Sequence, residues 1–167
     1  MTAWKVRRKA AGSRVQRGKR APREFVIEDS LGYLVNRAAR VMAQQLAEEL
    51  RPSGVAIGQW AVLMHLWAGD GLTQAELSRV VAIEPPTMVR TIDRMVRDGL
   101  VERRPDPKDG RLSRIHLTAQ GSALRDKLIP KAVEVNARIL ERMTADERTT
   151  LVRLLAEIGR PSGSESS

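Results

Sequence analysis

The chain has 167 residues, 42% of them apolar and only 3% aromatic, and its 29 basic against 20 acidic side chains give a net charge of +9. That length suits one domain with tails, and no apolar run reaches the roughly 18 residues a membrane-spanning helix needs. The absence of cysteine excludes disulfides, thiolate metal sites and cysteine-based redox sensing, and the only histidines, His65 and His116, are too far apart in sequence to suggest a metal centre.

Charge is unevenly placed from the start. Lys5, Arg7, Arg8, Lys9, Arg14, Arg17, Lys19, Arg20 and Arg23 fall in a stretch without a single acid. This stretch accounts for the whole +9, and the remaining basic and acidic residues balance at 20 each. Residues 1–24 hold too few large apolar side chains to offset their ordering entropy, so they read as a disordered basic arm. Such an arm can neutralise phosphates and release counterions. A solubilising tail is the plainer reading, and a membrane surface fits poorly because the arm lacks an apolar face. No apolar segment follows it, so it does not read as a secretory signal, and the lack of cysteine is compatible with a cytoplasmic protein.

Residues 28–50 have helical spacing, with Leu31, Leu34, Val35, Ala38, Val41, Met42 and Leu46 on one stripe and Asp29 or Ser30 available as a cap. A second, more apolar helix is predicted over 58–68, with Trp60, Leu63, Met64 and Trp67 on one side and Gly69-Asp70-Gly71 as its stop. Thr73 and Glu76 form a capping box that opens a short helix over 74–80, with Leu77 and Val80 expected inside. After a tight turn at Ala82-Ile83, Pro85-Pro86 starts the next helix, where the missing amide donors do no harm. That helix runs to Asp98, and Gly99 suits a left-handed cap.

Two strand-like segments, 100–104 and 112–117, then flank a Pro/Asp/Gly loop, giving a β-hairpin directly after a helix-turn-helix. Thr118 caps a long helix over 119–142 that Pro130 is expected to kink. Thr144 and Glu147 repeat the capping box before a last helix bearing Leu151, Leu154, Leu155 and Ile158. Residues 161–167 are a short flexible tail.

On a helical wheel for 86–97, Met88, Val89, Ile92, Met95 and Val96 gather on one arc. Pro86, Thr87, Arg90, Thr91, Arg94 and Arg97 gather on the other. A solvated surface helix usually mixes signs, whereas acids are nearly absent from this outer arc. Guanidiniums there can pair with phosphates or bind guanine edges, and threonine can meet a phosphate or a thymine methyl. The hairpin would then lie near the adjacent minor groove, with Arg111 at its tip as the probe and Asp109 holding it or capping the turn. Lys108, Arg104 and Arg114 are candidate phosphate contacts.

These residues carry a family resemblance. Asp109-x-Arg111, five residues and Leu117-Thr118 resemble the DxRxxxxxLT pattern of the MarR transcriptional regulators. Residues 72–111 look like their helix-turn-helix and wing, and IEPPTMVRTIDRM is similar to the SlyA-like branch. The basic arm departs from the family's short N-terminus, so its role does not carry over. The resemblance implies a mainly α fold with a small β-wing: a winged helix-turn-helix over 57–118, flanked by dimerisation helices over 25–56 and 119–160 within a single domain of residues 25–160. It implies a homodimer on a near-palindromic duplex operator, with Pro86, Thr87, Arg90, Thr91, Arg94, Arg97, Lys108, Asp109, Arg111 and Arg114 at the DNA. It also implies release by a small aromatic or anionic effector, for which Tyr33, Arg40, Trp60, His65 and Arg90 are the candidate pocket. The plain alternative for these last residues is core packing for the tryptophan and a structural role for the histidine.

An enzyme is not expected, since no nucleophile elbow, phosphate-cradling glycine loop or ligand cluster is present, and no cofactor is called for. A winged-helix module that binds protein would carry acidic or apolar residues where Arg90, Arg94 and Arg97 stand. The remaining alternative is an architectural DNA-binding protein of low sequence specificity driven by the arm. Deleting residues 1–23 separates the two: a specific regulator keeps its sequence preference, an architectural protein loses most of its binding.

Overall fold

The computed structural model describes residues 26–160, so the basic arm and the tail expected at 161–167 lie outside the described residues. In chain order the elements are α1 (Leu31–Leu50), α2 (Ile57–Ala68), β1 (Leu72–Thr73), α3 (Gln74–Val81), α4 (Pro85–Arg97), β2 (Val101–Pro105), β3 (Ser113–Leu117), α5 (Ala119–Leu140) and α6 (Ala145–Ile158). Contacts divide the chain into two units, one ending at Gln44 and the other starting at Gln45.

In the first unit a single 3-10 turn, Ile27–Asp29, precedes α1, and the amide of Leu34 donates to the carbonyl of Ser30 to start the helix. The apolar stripe read from the sequence is uncovered: Leu31, Leu34, Val35, Val41 and Met42 are all exposed.

The second unit is built around one apolar core. Leu50 at the end of α1, Val62, Leu63 and Leu66 of α2, Leu77 of α3, Met88, Ile92 and Met95 of α4, Ile115 of β3 and Leu128 of α5 are essentially fully buried. Thr73 caps α3 as expected, its hydroxyl accepting from the Glu76 amide while Glu76 accepts from the Thr73 amide. The turn to α4 closes through the amide of Ile83 on the carbonyl of Ser78, and Ala82 takes a left-handed φ of 56° there. Alanine in that region is strained, and nothing in the sequence flagged it. Gly99, with φ 71°, ends α4, its amide donating to Val96 and that of Leu100 to Met95.

Strands β2 and β3 pair antiparallel as the wing hairpin, with Val101 opposite Leu117 and Pro105 opposite Ser113. A third strand was not foreseen: β1 pairs with the other side of β3, Leu72 opposite Ile115 and Thr73 opposite Arg114, so the sheet order is β1-β3-β2. Two residues are too few to show an alternating pattern. At Gly121 a Cβ would stand 2.0 Å from the carbonyl oxygen of Leu100, so only glycine lets α5 lie this close to the sheet.

Several burial expectations are corrected. Val80 is exposed, as are Val89 and Val96 of α4 and Met64 of α2. The core takes a narrower stripe of α4 than the apolar arc suggested, only Met88, Ile92 and Met95, because its neighbours α2 and α3 cover one side of it. Helix α5 passes through Pro130 as one element, and Pro130 sits on its exposed side, where water can serve the carbonyl that proline leaves unpaired. Helix α6 fully buries none of its residues: of its apolar face Leu151 is half-buried while Leu154, Leu155 and Ile158 stand exposed, as does Val152. Among the described residues no helix is long and apolar enough to cross a membrane.

Candidate nucleic-acid interface

Helix α4 displays its arginines because its core positions are so regular. With Met88, Ile92 and Met95 driven inward, Pro86, Thr87, Arg90, Arg94 and Arg97 are held outward, and all five are exposed. Among the described residues none of the three guanidiniums is engaged by an acid, so their donors are free for an external partner. Thr91 is half-buried on the flank and its hydroxyl donates to the carbonyl of Thr87 at 2.9 Å, which leaves oxygen lone pairs but uses its proton inside the helix.

The wing is fastened to this helix. Arg103 of β2 donates to Asp93 of α4 at 2.7 Å, so the hairpin and the helix share one ion pair across their junction. Opposite α4's C-terminus, the buried Gln59 accepts from the amide of Ala56 and donates to Asp98 at 2.7 Å, tying the start of α2 to the end of α4.

At the hairpin tip, Arg111 is 90% exposed in its side chain, and Asp109 accepts from its amide and from its Nε and Nη2. Both sequence expectations for Asp109, turn cap and arginine holder, are met in one residue. The Arg111 guanidinium, ahead of its own amide, holds the Asp109 carboxyl below the usual carboxylate range. Lys108 is exposed beside it.

The residue that organises the loop was not singled out from the sequence. Asp106 is buried at 6% exposure and accepts from the amides of Lys108 and Asp109 and from Nε of Arg114. The Lys108 amide is the largest of the influences that lower its carboxyl's pKa, with the Asp109 amide and Arg114 adding to it against the opposing effect of desolvation. The available signal was Asp106-Pro107, since aspartate at the head of a turn bonds backbone two residues on. Arg114 also donates to the carbonyl of Gly71 at 2.7 Å, so this candidate phosphate contact is a clamp between β3, the wing loop and the turn before β1. Arg104 is engaged by Glu102 on its own strand.

The residues named for an effector pocket fall in different places. Tyr33 and Arg40 share one exposed face of α1 with Asn36, Arg37, Val41 and Gln44. Trp60 belongs to the core at 6% exposure, its ring edge-on to Trp67 at 5.6 Å between centroids. Trp67 in turn donates from its indole N–H to the carbonyl of Gly121. His65 is half-buried in α2, and Arg90 is on the exposed face of α4.

Comparison with known proteins places this geometry. Residues 53–112 match a family model described as the MarR family. An HTH-type transcriptional repressor of Mycobacterium tuberculosis is 30% identical over 129 residues, spanning 77% of this chain and 93% of that protein. Among solved structures, a mutant MarR of E. coli complexed with operator DNA superposes with a TM-score of 0.72 at 29% identity, covering 78% of this chain and 94% of that one. A probable transcriptional regulator from Pseudomonas aeruginosa gives a TM-score of 0.73 at 29% identity over 79% of this chain and 98% of that one.

Proposed function

This chain belongs to the MarR family of DNA-binding transcriptional regulators, and from that premise we propose that it works as a homodimeric repressor that reads a near-palindromic operator and leaves it when a small aromatic or anionic effector binds. The observation that carries the reading is the set of exposed guanidiniums on α4, Arg90, Arg94 and Arg97, none engaged by an acid among the described residues, together with the Arg103–Asp93 pair that fastens α4 to the hairpin on which Arg111 is exposed. Exposed donors on a helix and on the hairpin tied to it suit a duplex, with α4 in the major groove and Arg111 at the adjacent minor groove. Pro86, Thr87, Thr91 and Lys108 extend that surface, Asp109 presents Arg111, and Arg114 acts through the shape of the loop.

The operator-bound E. coli relative supports duplex DNA as the partner. Such a protein works where the chromosome is, in the cytoplasm. Arg111→Ala removes a side chain that makes no core contact, so the fold should survive. Operator affinity should fall roughly tenfold to a hundredfold by gel shift. Wild-type affinity in that variant would remove Arg111 from the interface.

A second copy of the chain is the natural cover for the exposed apolar residues of α1, Leu31 to Met42, and of α6, Val152 to Ile158, which no other described element buries. Two reading heads linked by symmetry are also what two half-sites require. Sedimentation of the full chain should give twice its 18.6 kDa mass, and Leu154→Glu with Leu155→Glu should shift it toward the monomer. An unchanged mass in that double variant places the interface elsewhere.

For the effector, the α1 face that carries Tyr33, Arg37 and Arg40 sets an aromatic ring beside cations, groups an aromatic carboxylate can use once a second element walls them in. Trp60, His65 and Arg90, the other candidate liners, are not among the residues of that face: Trp60 is in the core, His65 is half-buried in α2 and Arg90 is exposed on α4. Titrating benzoate-type acids while following tryptophan fluorescence and operator affinity tests the effector reading; no movement in either removes the effector.

A further inference from the structure

Six acids lie between residues 84 and 109, on or beside the reading surface: Glu84, Asp93, Asp98, Glu102, Asp106 and Asp109. Five of them are engaged within the fold. Asp93 holds Arg103, Asp98 accepts from Gln59, Glu102 holds Arg104, Asp106 holds Arg114, and Asp109 holds Arg111. The exception is Glu84, which is exposed and whose carboxylate has no partner among the described residues.

Its position would ordinarily explain an acid. Glu84 is the N-cap of α4, where a side-chain oxygen usually accepts from one of the first amides. Here that use is closed. The first two positions are Pro85 and Pro86, which have no N–H, and the amides of Thr87 and Met88 both donate to the backbone carbonyl of Glu84 instead. The side chain makes no cap hydrogen bond. The two prolines therefore leave a carboxylate unspent at the leading end of the recognition helix, the end that approaches base edges in a helix-turn-helix.

A carboxylate accepts hydrogen bonds and donates none. Against a phosphate it is repelled. In the major groove its natural partner is the N4 amino group of cytosine. Adenine also offers an amino group, but N7 beside it is an acceptor and turns its lone pair toward the second carboxylate oxygen. We infer that Glu84 is a specificity-determining residue that accepts from the amino group of a cytosine at one base pair of each half-site, and so sets part of the operator sequence.

This inference rests on the proposed reading of α4 as the element in the major groove. The test compares full-length wild type with E84Q and E84A on a panel of duplexes in which each base pair of the half-site is changed in turn. Wild type should favour C·G at one position by on the order of tenfold. In E84Q that position should turn toward adenine, because an amide both accepts from N6 and donates to N7, and in E84A it should lose its preference. The profile at the other positions, and the far-UV circular dichroism, should not change. If both variants keep the wild-type profile, or gain affinity equally for every duplex, Glu84 is only a helix-end charge and the inference fails. If wild type itself shows no preference at any position, the reading of α4 fails first, and the two failures are told apart by that control.

Discussion

Ile92→Asp should unfold the DNA-reading unit. Ile92 is fully buried in the middle of α4, in the same cluster as Leu63, Leu77, Met88 and Met95. The substitution removes apolar volume, leaves a cavity and puts an unpartnered carboxylate where water cannot reach it. Loss of a buried isoleucine side chain alone costs about 2–5 kcal/mol, and the stranded charge adds to that or forces the group to take a proton. Since a domain of this size is stable by only about 5–15 kcal/mol, the sum is comparable to the whole. Thermal melting followed by circular dichroism should show the cooperative transition lost or moved far down at neutral pH. A near-wild-type melting temperature would mean that α4 does not pack as described. Arg90→Ala, one turn-face away, serves as the control: it should melt with the wild type, because its side chain is exposed.

Asp106→Ala should have the second-largest effect, and of a different kind. This carboxylate accepts from two loop amides and from Arg114, and Arg114 reaches on to the carbonyl of Gly71. Without it, the amides of Lys108 and Asp109 lose their acceptor within the fold and a half-buried guanidinium loses its hydrogen-bonded carboxylate, the costly way to break such a pair. The core around Ile92 is built from other elements, so the protein should remain folded while the loop from 106 to 112 loses its shape. Arg111 would then be presented from a moving tip. Hydrogen exchange at the Lys108 and Asp109 amides should speed up, and operator affinity should fall by roughly tenfold or more as the Arg111 contact is lost. Asp106→Asn, which keeps one oxygen for the amides, should fall between. Unchanged exchange together with unchanged affinity would show that the wing does not depend on this residue.

How far the sequence could be read depends on how far each feature is local. The capping boxes at Thr73 and Thr144, the Thr118 cap and the Gly99 stop are contained within four residues of chain, and each is found where expected. The basic face of α4 follows from helical period alone. What failed depended on neighbours. Val80, Val89 and Val96 were expected inside because they are apolar on the right arc, but the surrounding helices cover a narrower stripe. Strand β1 exists only because β3 offers it an edge, and Arg114 became a clamp only because the chain brings Gly71 and Asp106 to it. The uncovered faces of α1 and α6 carry the opposite lesson: an apolar stripe in sequence is a demand for burial, and the partner that meets it need not be in the same chain.

The account stands most directly on the proposition that two copies of the α4–wing surface meet one duplex. Selection of bound duplexes from a random pool by the full-length protein measures that. The expected result is an inverted repeat whose two half-sites are centred about one helical turn apart, roughly 10 base pairs. Recovery of sequences with no common element, or of a single half-site without its inverted mate, would contradict it.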